Sequence, residues 1–199
     1  MSDTHVTPST AQGTPTETVI PPSFGTAYHE PNLYPHDVAK ASSWCSRPAR
    51  SGRRQIWTTN ADPAPKAAQY LASVLGSIGL KVTGVRTIDD SVYWDTLLSE
   101  KTDPQIAFNH FDQDYPEGED FIDTLLNGEH IVPVGNNDVS NTDDPTLNSM
   151  TDRTDRMPLD AGWAPFMHLE EPKFVSPDLH GLVFTGSYFE LIPEMWLSK

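Results

Sequence analysis

The chain has 199 residues and a formal net charge of −15, and 37% of its residues are hydrophobic. That length suffices for one domain with a core, or for a large piece of a bigger protein. The negative charge repels phosphate groups, which excludes nucleic acid as an expected partner, and no apolar run approaches the ~20 residues of a membrane span.

The first part of the chain is polar and then rich in proline. Residues 1–18 contain many Ser, Thr and Pro and are predicted to be a disordered lead-in. They have neither the basic nor the apolar stretch of a signal peptide, so none is predicted. Because each proline fixes φ and lacks an amide donor, the segment from Val19 to Pro35 is predicted to be extended. Residues 37–41 are typical of a helix start.

The segment 42–55 is irregular and differs in character from its surroundings. It contains four arginines, a proline where a helix should continue, and Cys45, the one cysteine of the chain. A single cysteine has no partner for an internal disulfide or for a CxxC metal site. The segment is either a basic binding loop or a locally scrambled stretch, such as a short frame-shifted read. The second interpretation is favoured because neither helical periodicity nor turn chemistry organises these residues.

A strand–helix–strand unit follows. Residues 56–59 are predicted to form a strand, Asn60 or Asp62 to cap a helix with Pro63 in its first turn, and Gly79 to end that helix. A second strand starts at residues 80–82 and is predicted to pair parallel to the first, through a right-handed crossover. The apolar face of the helix consists of Ala67, Leu71, Val74, Leu75 and Ile78.

The remainder of the chain continues the α/β pattern with mixed strand pairing. Asp89 or Asp90 is predicted to cap the next helix, and residues 105–109 to form a third strand. Further helices are predicted over 119–126 and 146–150, on either side of a loop over 132–146. Residues 163–168 and 173–175 are predicted to form two strands with a loop between them, and residues 179–184 follow.

Carboxylates and aromatic residues interleave at 108–121, just past the predicted third strand. Sheets of α/β proteins place ligand contacts at the carboxyl ends of their strands. A salt bridge and an aromatic wall there would suit a cationic or amine-bearing ligand. The alternative is a solvated acidic turn before a helix N-terminus, which the helix dipole also favours.

Two other interpretations of this segment remain alternatives. Asp112, Asp114 and Glu117 suggest calcium, but Pro116 and Glu117 occupy the positions where an EF-hand loop needs an oxygen ligand and glycine, which leaves only an irregular cation site. Asp112 and Asp114 could also be the acid–base pair of a hydrolase. The chain has no nucleophile elbow, zinc-protease or phosphate-loop motif, so no catalytic residue, metal site or cofactor is predicted.

Five motifs in consistent order carry a family resemblance. They are residues 37–41, the aromatic and acidic run 111–121, the pair Asn136 and Asn137, the helix start 143–147, and the tail 164–182. Together they resemble family 5 extracellular solute-binding proteins, the receptors of ABC importers for oligopeptides, dipeptides or nickel. The resemblance covers residues 19–199 and implies the C-terminal lobe of a periplasmic-binding-protein-like fold, class II and of the peptide-binding type.

The resemblance also implies a function and a site. The chain would bind a peptide or similar small solute without chemistry, as a monomer that serves an ABC permease, at an extracellular, cell-surface or periplasmic location. Without a signal peptide, a chain made as written would stay in the cytoplasm. Asp114 matches the acid that holds the ligand's α-amino group. Phe111 stands where the family has Trp, and Tyr115 and Asn137 complete the implied ligand-binding residues.

The chain departs from the family pattern in two further ways. The large N-terminal lobe has no counterpart before the proline-rich segment, so the fold is expected to be incomplete. Between residues 156 and 160 a helix of roughly 15–20 residues is expected to be deleted. A missing helix would leave part of a sheet face uncovered. These departures support an alternative in which the chain is a truncated remnant without independent function.

Overall fold

The computed structural model describes residues 13–29, 35–45, 54–99, 101–102, 104–115, 117–149, 163–169, 175–182 and 195–198. Its helices are α1 (Val38–Cys45), α2 (Ala64–Ser77), α3 (Asp90–Leu97), α4 (Gly118–Leu126) and α5 (Pro145–Asn148). Its strands are β1 (Gly13–Pro15), β2 (Arg54–Thr59), β3 (Val82–Ile88), β4 (Ile106–Ala107), β5 (Met167–Leu169), β6 (Leu179–His180) and β7 (Trp196–Leu197). Within these ranges, 3₁₀ turns span Pro22–Ala27 and Gly128–His130.

A parallel three-stranded sheet in the order β3–β2–β4 is the centre of the fold. Ile56 of β2 lies opposite Val85 of β3 and Ile106 of β4. Residues 56–59 are buried because β2 has a neighbouring strand on each side, which is typical of a central strand in a parallel sheet. The predicted strand–helix–strand unit with parallel pairing is confirmed, and the third predicted strand forms over a shorter range.

Helix α2 crosses between β2 and β3 and packs against both strands. Gly79, at φ 92°, lies just past its end, as predicted. Pro63, predicted in the first turn, is instead the residue before the helix. The predicted side-chain cap is absent. Asp62 instead pairs with Lys66 at 3.0 Å, and the Asn60 side chain is bonded to Asp89 and to the amide of Asp90.

One part of the core lies where α3 meets the sheet. Asp89 caps α3 by accepting from the amide of Ser91 at 3.1 Å, which confirms one of the two predicted caps. Helix α3 then buries Tyr93 and Leu97 against Trp57 of β2. The amphipathic spacing of the helix therefore fixes it on the sheet near the carboxyl end of β2.

The other part of the core surrounds α4. Phe121, Ile122, Leu125 and Leu126 pack with Ile20, so the segment before the first 3₁₀ turn is anchored on this helix. Burial of four side chains from one helix explains why α4 forms with bounds close to the predicted ones.

The structure differs from the sequence-based expectation at residues 13–29. Residues 13–15 lie within the predicted disordered lead-in, yet they form β1, which pairs antiparallel with β5. The predicted extended segment contains the Pro22–Ala27 turn, because Pro22 can open a helical turn where its missing amide is not needed. Residues 1–12 lie outside the described part of the chain.

Both ends of the segment predicted to be irregular over 42–55 belong to regular elements in the structure. Helix α1 continues to Cys45, because a helix whose N-terminus is capped by Asp37 can extend through small residues. Strand β2 begins at Arg54. Residues 46–53 and the predicted deletion near 156–160 lie outside the described residues. None of the helices in the described ranges combines the length and apolar character that a membrane crossing requires.

Candidate functional site

Hydrogen bonds fix the position of Phe108, the first residue after β4. The amide of Phe108 donates to the Trp57 carbonyl at 3.0 Å, which extends the pairing of β4 with β2 by one bond. The hydroxyl of Tyr93 donates to the Phe108 carbonyl at 2.5 Å. The loop that follows therefore starts from a fixed position at the carboxyl end of the parallel sheet, where ligands bind in α/β proteins.

This loop forms one wall of a cleft that we call the aromatic cleft, with a volume of about 340 Å³. The other walls come from the N-terminal segment and from the segment that contains β5. The volume lies near the lower end of the roughly 300–1,000 Å³ that small-molecule sites occupy. The cleft is lined by Thr18, Val19, Pro21, Ser23, Asn109, His110, Phe111, Asp112, Gln113, Phe121, Leu125 and residues 163–169.

Phe111 and Phe121 line the cleft and belong to an edge-to-face series of phenylalanine rings that continues to Phe24 behind it. The ring centroids of Phe111 and Phe121 are 5.4 Å apart, and those of Phe121 and Phe24 are 5.9 Å apart. Aromatic rings prefer this arrangement because the positive edge of one ring faces the negative face of the next. Phe111 is half-buried and joins the α4 core, so the core holds this side of the cleft in place.

The charge on the wall of the cleft is negative. Asp112 is the one carboxylate among the described residues that line it, and these lining residues include neither Lys nor Arg. The carboxylate of Asp112 lies 3.5 Å from Nε2 of His110. The His110 ring in turn contacts the ring of Trp94, with centroids 4.4 Å apart. Such a wall attracts cationic groups rather than anions.

Two polar atoms in the lining residues have no hydrogen-bond partner within the described part of the chain. One is Oε1 of Gln113, whose side chain is only 4% exposed, and the other is the indole Nε1 of Trp163. Buried polar groups are normally paired, so an unpaired acceptor and an unpaired donor beside one cleft are unusual. Neither residue stands out in the sequence, because a single Gln or Trp carries no pattern.

Asp114 and Tyr115 lie in a tight turn beyond the cleft wall. The buried carboxylate of Asp120 accepts from the Asp114 amide at 2.6 Å and from the Tyr115 amide at 3.4 Å. Both residues of the turn are exposed, and neither lines the aromatic cleft. Partial burial raises the pKa of Tyr115, and the nearby carboxylates, that of Asp120 first, raise it further.

Asn137 lies in the loop that follows the second 3₁₀ turn, and it does not line the aromatic cleft. Its carbonyl accepts from the Val139 amide at 2.9 Å. Its neighbour Asn136 is buried and donates to the Asp138 carbonyl at 2.7 Å. The structure thus brings Phe111 to the cleft and places Asp114, Tyr115 and Asn137 elsewhere on the described chain.

The candidate cation-site residues do not converge. Within the described ranges, no group of three or more His, Cys, Asp or Glu side chains is arranged to hold a metal ion. Asp112 faces the cleft, and Asp114 and Glu117 lie on the turn before α4.

Comparison with known proteins supports the fold. No protein-family model and no curated protein matches the chain. Among solved structures, the chain is similar to the ABC transporter-associated periplasmic binding protein DppA from Helicobacter pylori in complex with peptide STSA, with a TM-score of 0.67 and 19% identity. The match covers 93% of this chain and 40% of that chain. The chain therefore has the α/β fold of part of a periplasmic binding protein, which confirms the predicted fold class.

Proposed function

We propose that the chain binds a peptide or a similar small solute without chemical change, as part of the receptor of an ABC importer. The observation that carries this proposal is the aromatic cleft at the carboxyl end of β4, in a fold whose solved H. pylori relative holds a peptide. Phe111 of the implied ligand-binding residues is in the wall of this cleft. In this proposal the chain acts as a monomer outside the cytoplasm and delivers its solute to a permease.

A chain that spans 40% of its structural relative offers only part of a binding site. Ligands in such proteins bury most of their surface, so a ligand held by one lobe loses about half of its contacts. We therefore expect binding of the isolated chain to be weaker than micromolar. Asp114, Tyr115 and Asn137 remain predicted contacts, made by exposed or half-buried side chains beyond the cleft wall.

Two titrations test this proposal. In ¹⁵N-resolved NMR, millimolar STSA peptide should produce saturable shifts of the amides of residues 109–113 and 163–169, because these residues line the cleft. Amides of α2 serve as the internal control, since that helix packs on β2 and β3. Absence of saturable shifts would contradict the proposal.

Calorimetric titration with a mixed library of di- to pentapeptides gives the affinity. We expect heats too weak to fit a micromolar dissociation constant. Micromolar or tighter binding would contradict the expectation that one lobe binds its ligand weakly. A cooperative thermal unfolding transition of the purified chain would contradict the interpretation that the chain is a truncated remnant without independent function.

A further inference from the structure

The loop before α5 contains a buried amide oxygen that has no hydrogen-bond donor. Asn136 is 3% exposed, and its side-chain nitrogen donates to the Asp138 carbonyl at 2.7 Å and to Oδ1 of Asn141 at 3.1 Å. Because a backbone carbonyl can only accept, this nitrogen must face Asp138, and Oδ1 is the other end of the amide. That oxygen has no partner within the described part of the chain, although buried polar groups are normally paired.

The same loop buries a carboxylate that has no cationic partner. Asp138 is 1% exposed, and its carboxylate accepts from the Ser140 amide at 3.1 Å, from the Ser140 hydroxyl at 2.6 Å and from the Thr142 amide at 2.9 Å. Among the described residues, the ion pairs join other carboxylates and do not include Asp138. These neutral donors leave the negative charge itself uncompensated, and removing such a charge from water is costly.

Side chains that carry oxygen recur at every second position of this loop. The positions are occupied by Asn136, Asp138, Ser140 and Thr142. The hydroxyl oxygens of Ser140 and Thr142 lie 2.7 Å apart, so the loop gathers neutral oxygens around one carboxylate. Loops that bind calcium commonly take their ligands from alternate positions, and Ca²⁺ accepts amide oxygens and water as well as carboxylates.

We propose that the loop of residues 136–142 binds a calcium ion, with Oδ1 of Asn136 and the carboxylate of Asp138 as protein ligands and water among the others. The ion would supply both the partner of the buried amide oxygen and the counter-charge of the buried carboxylate. Ca²⁺ suits this set better than Mg²⁺, because Mg²⁺ demands near-ideal octahedral geometry and dehydrates reluctantly. Neither ligand residue lines the aromatic cleft, so this inference does not rest on the proposed function.

The ligand set implies a weak site. One carboxylate with neutral oxygens corresponds to the low-affinity end of calcium sites, with a dissociation constant of about 10⁻⁴–10⁻³ M, which is the range of extracellular modules. The net charge of −15 raises the cation concentration near the surface and so favours occupancy at low ionic strength.

Thermal unfolding of the full chain at pH 7 tests the site. Relative to buffer treated with a chelator, about 10 mM CaCl₂ should raise the melting temperature by about 3–10 °C, and the same concentration of MgCl₂ should raise it far less. In ¹⁵N-resolved NMR, CaCl₂ should produce saturable shifts of the amides of residues 136–142, while the amides of α2 serve as the internal control.

Two matched variants separate a specific site from general attraction of cations to an acidic chain. Asp138→Asn and Asp95→Asn each remove one negative charge, the first from the buried loop and the second from the exposed face of α3. Asp138→Asn should abolish the difference between CaCl₂ and MgCl₂, and Asp95→Asn should retain it. Asp138→Asn should still fold in the chelator, because it removes an uncompensated buried charge.

The inference is overturned if Ca²⁺ and Mg²⁺ stabilise the unmodified chain equally, or if Asp138→Asn keeps the full response to Ca²⁺. Shifts spread over the acidic surface, rather than confined to residues 136–142, would also overturn it. The comparison of the two cations and the location of the shifts use the unmodified chain, so they decide the matter even if a variant does not fold. None of these outcomes bears on solute binding in the aromatic cleft.

Discussion

The Tyr93 hydroxyl donates to the Phe108 carbonyl at 2.5 Å and so joins α3 to the residue where the chain leaves β4. Tyr93 is 0% exposed, and burial raises the pKa of its hydroxyl, which keeps it a donor. Tyr93→Phe would leave a carbonyl without this donor, so we expect a loss of about 1–3 kcal/mol in the free energy of unfolding. Urea denaturation measures it. Tyr70→Phe is the control, because Tyr70 is 73% exposed, and an equal loss there would contradict the assignment.

Asp120 connects the turn at 114–115 to the first turn of α4. Asp120→Ala removes the acceptor of two backbone amides and a negative charge near a helix N-terminus. The expected cost is about 1–3 kcal/mol of unfolding free energy, measured by chemical denaturation. Glu119→Ala changes an exposed acid in the same helical turn and should cost far less. Similar losses in both variants would show that the helix dipole, and not the turn, accounts for the effect.

Gly13 lies in β1 opposite Leu169 of β5. A Cβ added at Gly13 would collide with the His168 carbonyl, which is backbone and moves only if β5 moves. We expect Gly13→Ala to accelerate amide hydrogen exchange in residues 167–169, with a stability loss of about 1–3 kcal/mol. Gly84→Ala on β3 points into open space and should be neutral or slightly stabilising. Unchanged exchange in β5 would show that the pairing with β1 is unimportant in solution.

Asp138 gives the structure a pH-dependent element. Its side chain is 1% exposed, and burial raises its pKa, although hydrogen bonds from Ser140 and the Thr142 amide act against the rise. A folded-state pKa above the unfolded value near 3.9 means that this carboxyl favours folding when protonated. Its contribution is present below about pH 4 and is lost as the pH rises through the folded-state pKa.

Asp138→Asn tests that sign. The melting temperature of the variant relative to the unmodified chain should rise as the pH increases from about 4, and then level off. The lowered pKa values of Asp89 and Asp144, which come from hydrogen bonds with Ser91 and with the Thr146 amide, act in the opposite sense. Both of these carboxyl groups are present in the variant and in the unmodified chain, so their contributions cancel in the melting-temperature difference. A melting-temperature difference that is constant with pH would contradict a raised pKa at Asp138.

Local signals in the sequence predicted the sheet and its helices well. Asp89, Pro63 and Gly79 act on backbone groups within a few residues, so their effects can be read without knowing the fold. The strand β1 was unpredictable for the opposite reason. Three residues with glycine and proline show no alternation, and their pairing partners lie near the other end of the chain.

The site was predictable only in part. The interleaved acids and rings after β4 lie in the loop that forms one wall of the cleft, and their role as ligand contacts stays a prediction. Which of two acids faces the cleft depends on the turn at 114–115, and a contact with Asp120 sets that turn. Gln113 and Trp163 come together only because three distant segments meet, and no spacing within one segment encodes this.

The pairing of β1 with β5 also bears on the order in which the chain folds. The parallel sheet uses residues within 54–107, so its contacts form after the closure of short loops. The other walls of the aromatic cleft instead come from residues 18–23 and 163–169. The pairing of β1 with β5 joins these segments by closing a much longer loop, which is entropically costly. The sheet can therefore be complete while the cleft is still open, which makes formation of the aromatic cleft a late event in folding.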